Sequence, residues 1–192
     1  MDFPQDWRGI RIYTVGHSTR TLAELVEILR AFDITLAADI RTLPRSRHNP
    51  QFNFDALASG LRQQHIGYAH LPELGGLRKP RPDSVNTGCR NSGFRGFADY
   101  MQSEGFAAGL SQLHDLAAEG KVALMCAEAV PWRCHRSLIA DALLVRGAQV
   151  EHITSPQRSS PHRMAEFARI DGIGITYPGG PAGAADQTEI AW

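Results

Sequence analysis

The chain has 192 residues, of which 43% are hydrophobic and 21% are charged, and its formal net charge is zero. These values predict one soluble globular domain with a tail, because no apolar run approaches the roughly 20 residues of a membrane helix. Zero net charge argues against nucleic-acid binding through bulk charge. The N-terminus has no basic start followed by an apolar run, and three cysteines are too few for a disulfide framework, so we expect a reduced, cytoplasmic protein.

The basic residues are unevenly placed along the chain. Eighteen are arginine and two are lysine, and ten of the 20 fall within the stretches 41–48, 78–95 and 133–136, beside a single acid, Asp83. The planar guanidinium of arginine suits phosphate and carboxylate better than the ammonium of lysine does. The clustering therefore favours an anion site, and the competing interpretation is an arginine-rich chain whose loops are simply polar.

Strand and helix patterns alternate in chain order. Thr21 and Glu24 have the spacing of a capping box and predict a helix that begins at Leu22. Further helices are predicted from Phe54, from Phe94 to Gly120 with an interruption at Gly105, and from about Cys134 to Arg146. The predicted strands are 11–15, 34–40, 68–71, 121–126 and 150–153. This alternation predicts an α/β fold, a mostly parallel sheet with helices on both faces in a Rossmann-like three-layer architecture.

Two segments depart from this pattern. Residues 72–93 contain three prolines and four glycines and predict a long loop, which in a compact domain is usually functional or mobile. We place a single α/β domain at 1–155 and a C-terminal extension at 156–192. The extension is partly irregular, with one short helix expected between residues 158 and 170.

Residues whose side chains could bind a ligand or take part in catalysis follow three of the predicted strands. His17 and Ser18 lie in a strand-to-helix turn whose free backbone N–H groups would favour an anion. Ligands of parallel sheets bind beyond the carboxyl ends of the strands, so these residues are expected to share a site with those that follow the second and fourth strands. Asp39 and Arg41 lie at the end of the second predicted strand, and Cys126 and Glu128 follow the fourth. Arg136 lies just beyond Glu128, at the start of a helix.

Four separated motifs resemble the domain-of-unknown-function 488 family over roughly residues 11–155. They are Gly16-His17-Ser18, Asp39-Ile40-Arg41 with Pro44 and Ser46, Gly75-Gly76, and Cys126-x-Glu128 with Pro131 and Cys134-His135-Arg136. The resemblance implies an α/β fold and candidate site positions, but no substrate, because the family lacks an agreed activity.

A thiol nucleophile is the first chemical hypothesis for the stretch 126–136. Cys126 ends a strand and faces a helix start with Arg133, His135 and Arg136 nearby, and such surroundings favour a thiolate. Cys134 is equally eligible. The phosphatase signature needs Cys-x5-Arg, whereas position 132 is tryptophan and Arg133 comes one residue late. The alternative interpretation is that both cysteines are small buried apolar residues.

Metal binding is the second hypothesis. Cys126, Cys134 and His135 would supply three ligands if His17 or His48 supplied a fourth. Side chains of adjacent residues at a helix start usually point in different directions, and the spacing does not fit the zinc deaminase signature. We therefore expect no metal, and no motif implies another cofactor.

The sequence thus predicts an enzyme, a hydrolase or transferase that is thiol-dependent, acting on a phosphate-bearing or anionic substrate such as a nucleotide or nucleic-acid component. The predicted catalytic residues are Cys126, Glu128 and Cys134. The predicted anion-binding residues are His17, Ser18, Asp39, Arg41, Ser46, His135 and Arg136.

Two of these assignments leave alternatives open. Asp39 is expected to orient Arg41 or His17, and Glu128 acts either as a general acid/base or as the partner of a cation. The rival function is a non-catalytic nucleotide or nucleic-acid binding module, in which Phe94, Phe97, Tyr100 and Trp132 stack on bases. Phe97 at helical spacing is more typical of a core. The expected partner is an anionic small molecule or nucleic acid rather than a membrane, and the sequence does not indicate an oligomeric state.

Overall fold

A computed structural model describes residues 6–180 as a six-stranded sheet flanked by helices. The strand order is β3-β2-β4-β1-β5-β6; the first five strands are parallel and β6 is antiparallel to β5. The strands are β1 (Arg11–Gly16), β2 (Leu36–Asp39), β3 (Gly67–His70), β4 (Val122–Cys126), β5 (Gln149–Ser155) and β6 (Arg158–Pro161), and a separate hairpin contains β7 (Arg169–Asp171) and β8 (Gly174–Thr176). The helices are α1 (Leu22–Ala31), α2 (Phe54–Gln63), α3 (Ser92–Tyr100), α4 (Glu104–Glu119) and α5 (Arg136–Val145).

Helices cover both faces of the sheet, and residue alternation along β4 shows how. Val122 and Leu124 belong to the core beneath α3, α4 and α5, whereas Ala123 and Met125 belong to the core beneath α1 and α2. All four side chains are fully buried, as expected for a strand in the middle of a parallel sheet. The predicted three-layer α/β fold is therefore confirmed. None of the described helices has the length and apolar character of a transmembrane span.

Local signals located most of the elements correctly. The Thr21–Glu24 capping box is present in full at the start of α1. The predicted break at Gly105 is wrong: Gly105 lies inside α4, and the chain breaks at residues 101–103, where the Ser103 hydroxyl accepts the backbone N–H of Phe106. The last major helix begins at Arg136 rather than at Cys134.

The C-terminal extension differs from its expected structure. The predicted short helix between 158 and 170 is replaced by β6, which extends the main sheet, and by the first residues of the β7–β8 hairpin. Tyr177 is fully buried, and its hydroxyl donates to Asp141 of α5 at 2.8 Å. The described part of the extension therefore packs on the domain. The segment after residue 170, predicted to be irregular, contains β8 and the buried Tyr177, and its residues 181–192 lie outside the described residues.

A chain of buried polar groups fastens this extension to the sheet. The second carboxylate oxygen of Asp141 lies 2.7 Å from Nε2 of His162. His162 Nδ1 lies 2.9 Å from His152 Nε2, and His152 Nδ1 lies 2.7 Å from the hydroxyl of Thr14 on β1. Burial, followed by the neighbouring His162, lowers the pKa of His152 to about 3. Because these contacts join β1, β5, α5 and the extension, we assign both histidines to the structure of the fold.

Candidate functional site

An open pocket of about 700 Å³ lies beyond the carboxyl ends of β1, β2 and β4. Its walls come from residues 17–19, 41–49 and 126–135, and from the loop positions 76–77 and 91–94. Eight of the ten predicted site residues line it: His17, Ser18, Arg41, Ser46, Cys126, Glu128, Cys134 and His135. Asp39 and Arg136 lie behind the pocket wall. The convergence expected from a parallel sheet is therefore present.

The turn after β1 is closed off from anions by the neighbouring loop. The backbone N–H of His17 donates to Cys126 O and that of Ser18 donates to Ala127 O, both at 2.9 Å. The prediction that these N–H groups are free is therefore wrong. Gly16 makes the pairing feasible, because a Cβ at this position would lie 1.9 Å from the carbonyl oxygen of Glu128. The turn contributes the side chains of His17 and Ser18 to the pocket rather than its amides.

Arg41 is largely occupied by protein partners. Its Nε and Nη2 donate to the two carboxylate oxygens of Asp39 at 2.9 and 2.6 Å, and Nη2 also donates to Phe52 O at 2.8 Å. The expected pairing of Asp39 with Arg41 is confirmed, and the Tyr68 hydroxyl donates to the same carboxylate. Only the Nη1 end of the Arg41 guanidinium turns toward His17 and the pocket.

His17 is held as a neutral imidazole. It is 2% exposed and stacks on Phe52, with ring centroids 4.1 Å apart. Its Nδ1 donates to Ser18 O at 2.9 Å, so Nε2 accepts from Arg41 Nη1 at 3.2 Å. Burial, followed by the charge of Arg41, lowers the pKa of His17 to about 4. A neutral, stacked ring is suited to shaping the pocket wall, not to attracting an anion by charge.

Arg136 lies beneath the loop that carries the acid. It is 1% exposed, and its two Nη groups donate to the backbone carbonyls of Glu128 and Ala129. Among the residues described, its Nε is the one buried side-chain nitrogen or oxygen with no hydrogen-bond partner. These contacts make Arg136 a support for residues 128–129 rather than a residue that faces the pocket.

The two cysteines and the histidine of the 126–136 stretch meet at the pocket floor. Their ligand atoms all lie within 4.8 Å of one another, and Cys134 Sγ is 3.7 Å from His135 Nδ1. Both cysteines are free thiols and nearly buried. The expectation that Cys134 and His135 point in different directions is therefore wrong. The reason is that Cys134 and His135 precede α5 in a non-helical turn, which follows a short 3-10 helix at Pro131–Arg133.

The environments of the two thiols differ. Burial alone would raise the pKa of Cys134, but its hydrogen bond with Cys126 and the charge and backbone N–H of Arg136 lower it to about 7. The same hydrogen bond, followed by burial, raises the pKa of Cys126 well above its usual range. These surroundings therefore favour ionisation of Cys134 over that of Cys126.

Glu128 is half-buried on the pocket wall. One carboxylate oxygen accepts the backbone N–H of Val130 at 3.1 Å, which fixes the side chain at the start of the loop. Within residues 6–180 no ion pair involves Glu128, so its carboxylate has no cationic side chain as a partner there. This leaves the carboxylate available to a ligand in the pocket.

Two arginines that the motifs did not single out line the pocket and are exposed. They are Arg45, in the loop after β2, and Arg133, in the loop after β4. In the sequence both belong to the arginine clusters at 41–48 and 133–136, and Arg133 is also one of the basic residues near Cys126. Thr42, Asn49 and Asn91 also line the pocket and were not predicted. The exposed positive charge of the pocket therefore comes from Arg45 and Arg133, whereas Arg41 and Arg136 are buried.

Comparison with known proteins supports a family assignment and no more. A family model described as domain of unknown function DUF488 matches residues 21–143. Among curated proteins and solved structures, none matches the chain significantly. The matched segment covers more than half of the chain and includes Asp39, Arg41, Cys126, Glu128 and Cys134. The chain therefore belongs to the family described as domain of unknown function DUF488.

Proposed function

We propose that this protein is an enzyme that acts on a phosphate-bearing or otherwise anionic substrate, such as a nucleotide or nucleic-acid component. One observation carries the proposal: the exposed side chains of Arg45 and Arg133 line the same pocket as Cys126, Glu128 and Cys134. A guanidinium group can donate two parallel N–H hydrogen bonds to the oxygens of a phosphate. A nearby carboxylate without a cationic partner can accept or donate a proton. The three free cysteines fit a reducing, cytoplasmic location.

Within this proposal the two arginines hold the anion and the pocket floor provides the chemistry. Glu128 acts as a general acid/base, because its side chain is fixed by Val130 N–H and faces the substrate space. Cys126 and Cys134 form the reactive centre of a hydrolase or transferase. Ser18, Ser46 and Asn49 supply neutral hydrogen-bonding groups around the substrate.

The anion-binding part is tested by titrating the protein with inorganic phosphate, pyrophosphate, nucleoside monophosphates and a short single-stranded RNA in a calorimeter. Replacing Arg45 or Arg133 with alanine should weaken binding of the best probe by about tenfold or more, since charge-assisted contacts are worth about 1.5–3 kcal/mol. Arg47→Ala is the matched control, because Arg47 is exposed in the same loop but does not line the pocket. If Arg45→Ala and Arg133→Ala bound the probe as tightly as Arg47→Ala and the wild type do, the proposal would be contradicted.

Turnover separates the enzyme from a binding module with the same pocket. The rival function is favoured by Phe94 on the pocket wall and by the 49% exposed Trp132, which precedes Arg133. Phe97, by contrast, is fully buried core and cannot stack on a base. Incubating each bound probe with the wild type and with Glu128→Gln, followed by mass analysis, should show a product with the wild type alone. Salt-sensitive RNA binding without any product would favour the module.

A further inference from the structure

Two buried thiols and an imidazole nitrogen converge on one point of the pocket floor. One ligand atom from each of Cys126, Cys134 and His135 lies within 4.8 Å of the other two. Zinc bonds of about 2.3 Å to sulfur and about 2.0–2.1 Å to nitrogen place tetrahedral ligand atoms about 3.5–3.8 Å apart. The observed 3.7 Å between Cys134 Sγ and His135 Nδ1 already has this spacing. A movement of about 1 Å would suffice for the remaining pairs.

The tautomer of His135 leaves the correct nitrogen available. Its Nε2 lies 3.1 Å from the carbonyl oxygen of Leu74, to which it can only donate, so Nδ1 carries the lone pair that faces Cys134. Metal-bound histidines almost always donate their other N–H to an acceptor in this way, because the hydrogen bond fixes both the tautomer and the ring orientation. His135 thus has the arrangement of a ligand before any metal is considered.

Gly76 and Phe97 restrict the orientation of the His135 ring. A Cβ on Gly76 would lie 2.4 Å from His135 Nδ1, so the glycine allows the Gly75–Gly76 segment to close against the ring. Phe97 packs edge-on against the other side, with ring centroids 5.0 Å apart. A ring packed between Gly76 and Phe97 has lost most of its rotational freedom, and this lowers the entropic cost of binding an ion.

We propose that Cys126, Cys134 and His135 bind a zinc ion, with a fourth position open to the pocket for water or a substrate oxygen. Two thiolates and one imidazole are a ligand set that favours zinc over magnesium or calcium. All three residues line the same pocket as Glu128, Arg45 and Arg133, so a ligand in that pocket could reach the ion. Three protein ligands and an open position are typical of catalytic rather than structural zinc sites.

Burial of the sulfur atoms gives a physical reason for the ion. Cys126 and Cys134 are only 8% and 4% exposed, so both can be thiolates at once only with a cation beside them. A divalent ion deprotonates its thiol ligands and neutralises the pair. This inference deepens the proposed function and rests on the same pocket, but its test uses no substrate.

The test is a cobalt titration of the full chain after treatment with a chelator and a reductant. Cobalt replaces zinc in such sites and reports sulfur ligation by a charge-transfer band in the near ultraviolet and tetrahedral geometry by bands in the visible. The wild type should bind one cobalt ion per chain, and zinc should displace it. Cys126→Ser, Cys134→Ser and His135→Ala should each weaken binding by about 100-fold or more, since even indirect partners of a metal are worth 10–100-fold.

Matched controls separate this site from nonspecific binding. Cys89→Ser removes the third cysteine, which is buried elsewhere, and His48→Ala removes an exposed histidine, so both should bind cobalt as the wild type does. Circular dichroism identifies any variant that fails to fold. In the wild type itself, zinc should protect Cys126 and Cys134 from alkylation and leave the reactivity of Cys89 unchanged, as measured by peptide mass spectrometry.

The two proposals fail in distinguishable ways. The absence of a saturable cobalt band from the reduced wild type, or wild-type affinity in folded Cys126→Ser and Cys134→Ser proteins, would overturn the zinc site and leave anion binding by Arg45 and Arg133 untouched. Conversely, an Arg45→Ala/Arg133→Ala variant should keep its cobalt spectrum even if its phosphate affinity is lost.

Discussion

At the scale of single residues, the arginines divide according to what surrounds them. Arg41 and Arg136 are 7% and 1% exposed and donate to Asp39 or to backbone carbonyls. Arg45 and Arg133 are exposed and line the pocket. A buried guanidinium donates most of its N–H groups to protein acceptors, because a donor left without an acceptor is costly there. Buried arginines therefore hold the pocket in shape, and exposed ones are available to a ligand.

Arg136 should be a stability residue by this reasoning. Arg136→Met keeps the apolar packing but leaves the carbonyl oxygens of Glu128 and Ala129 without their donor, so we expect the free energy of unfolding to fall by about 2–4 kcal/mol. Urea denaturation followed by circular dichroism measures this. Arg133→Ala, at an exposed position, should change it by less than about 0.5 kcal/mol. If Arg136→Met lowered the free energy of unfolding less than Arg133→Ala does, this would contradict the assignment of the buried arginines to structure and the exposed ones to ligand binding.

His17 should make stability depend on pH. Its pKa is about 4 in the folded protein and 6.5, the ordinary value for histidine, in the unfolded chain, so the unfolded chain takes up the proton first as the pH falls. The stabilisation is complete above about pH 6.5 and is lost as the pH falls from there toward 4. Between pH 7.5 and pH 5, the wild type should lose about 1–2 kcal/mol more than His17→Gln does.

The measurement is urea unfolding of both proteins at the two pH values. His152, with its pKa also lowered, is present in both and contributes equally to each difference. Parallel pH profiles for the wild type and His17→Gln would show that the folded protein accommodates a charged His17.

At the scale of elements, the extension after β5 depends on Asp141 of α5. Tyr177→Phe removes one donor to a fully buried carboxylate and should lower the free energy of unfolding by about 1–2 kcal/mol. Limited proteolysis should then cleave within residues 158–180 faster than in the wild type, because local opening of this segment becomes easier. An unchanged cleavage rate would mean that β6 and the β7–β8 hairpin hold the segment without this hydrogen bond.

Element prediction succeeded where the signal is local. Thr21 and Glu24, three residues apart, form a capping box that predicts the start of α1. The continuous apolar run of β4 reflects burial on both faces. It failed for β6 and β7, whose residues are largely exposed and show no alternation, because their pairing partners rather than their own sequence stabilise them.

Site prediction had a similar limit. Strand ends converge in any parallel sheet, so the motif positions could be placed in one pocket from sequence. Which donor is already occupied depends on partners distant in sequence, as with Arg41 and Phe52 or His135 and Leu74. For this reason the spacing in the sequence could not show that Arg45 and Arg133 carry the exposed positive charge of the pocket. Nor could it show that the side chains of Cys134 and His135 contact each other.

At the scale of the whole molecule, charge is balanced overall and concentrated locally. The net charge is zero, yet the pocket places two exposed arginines at its edge and an acid on its wall. Such a field draws anions toward the pocket without making the whole protein adhere to nucleic acid. Anion binding should therefore weaken with salt much less steeply than the binding of a basic protein to DNA or RNA, which calorimetry at two salt concentrations measures.

The position of β1 in the sheet has a consequence for protein expression. β1 lies between β4 and β5, yet the family match begins at residue 21, after this strand has ended, and stops at residue 143, before β5 begins. A recombinant fragment cut to the matched limits would expose the inner edge of β4 and both cores. We expect it to accumulate in inclusion bodies, whereas a fragment spanning 6–180 should remain in the soluble fraction of the lysate.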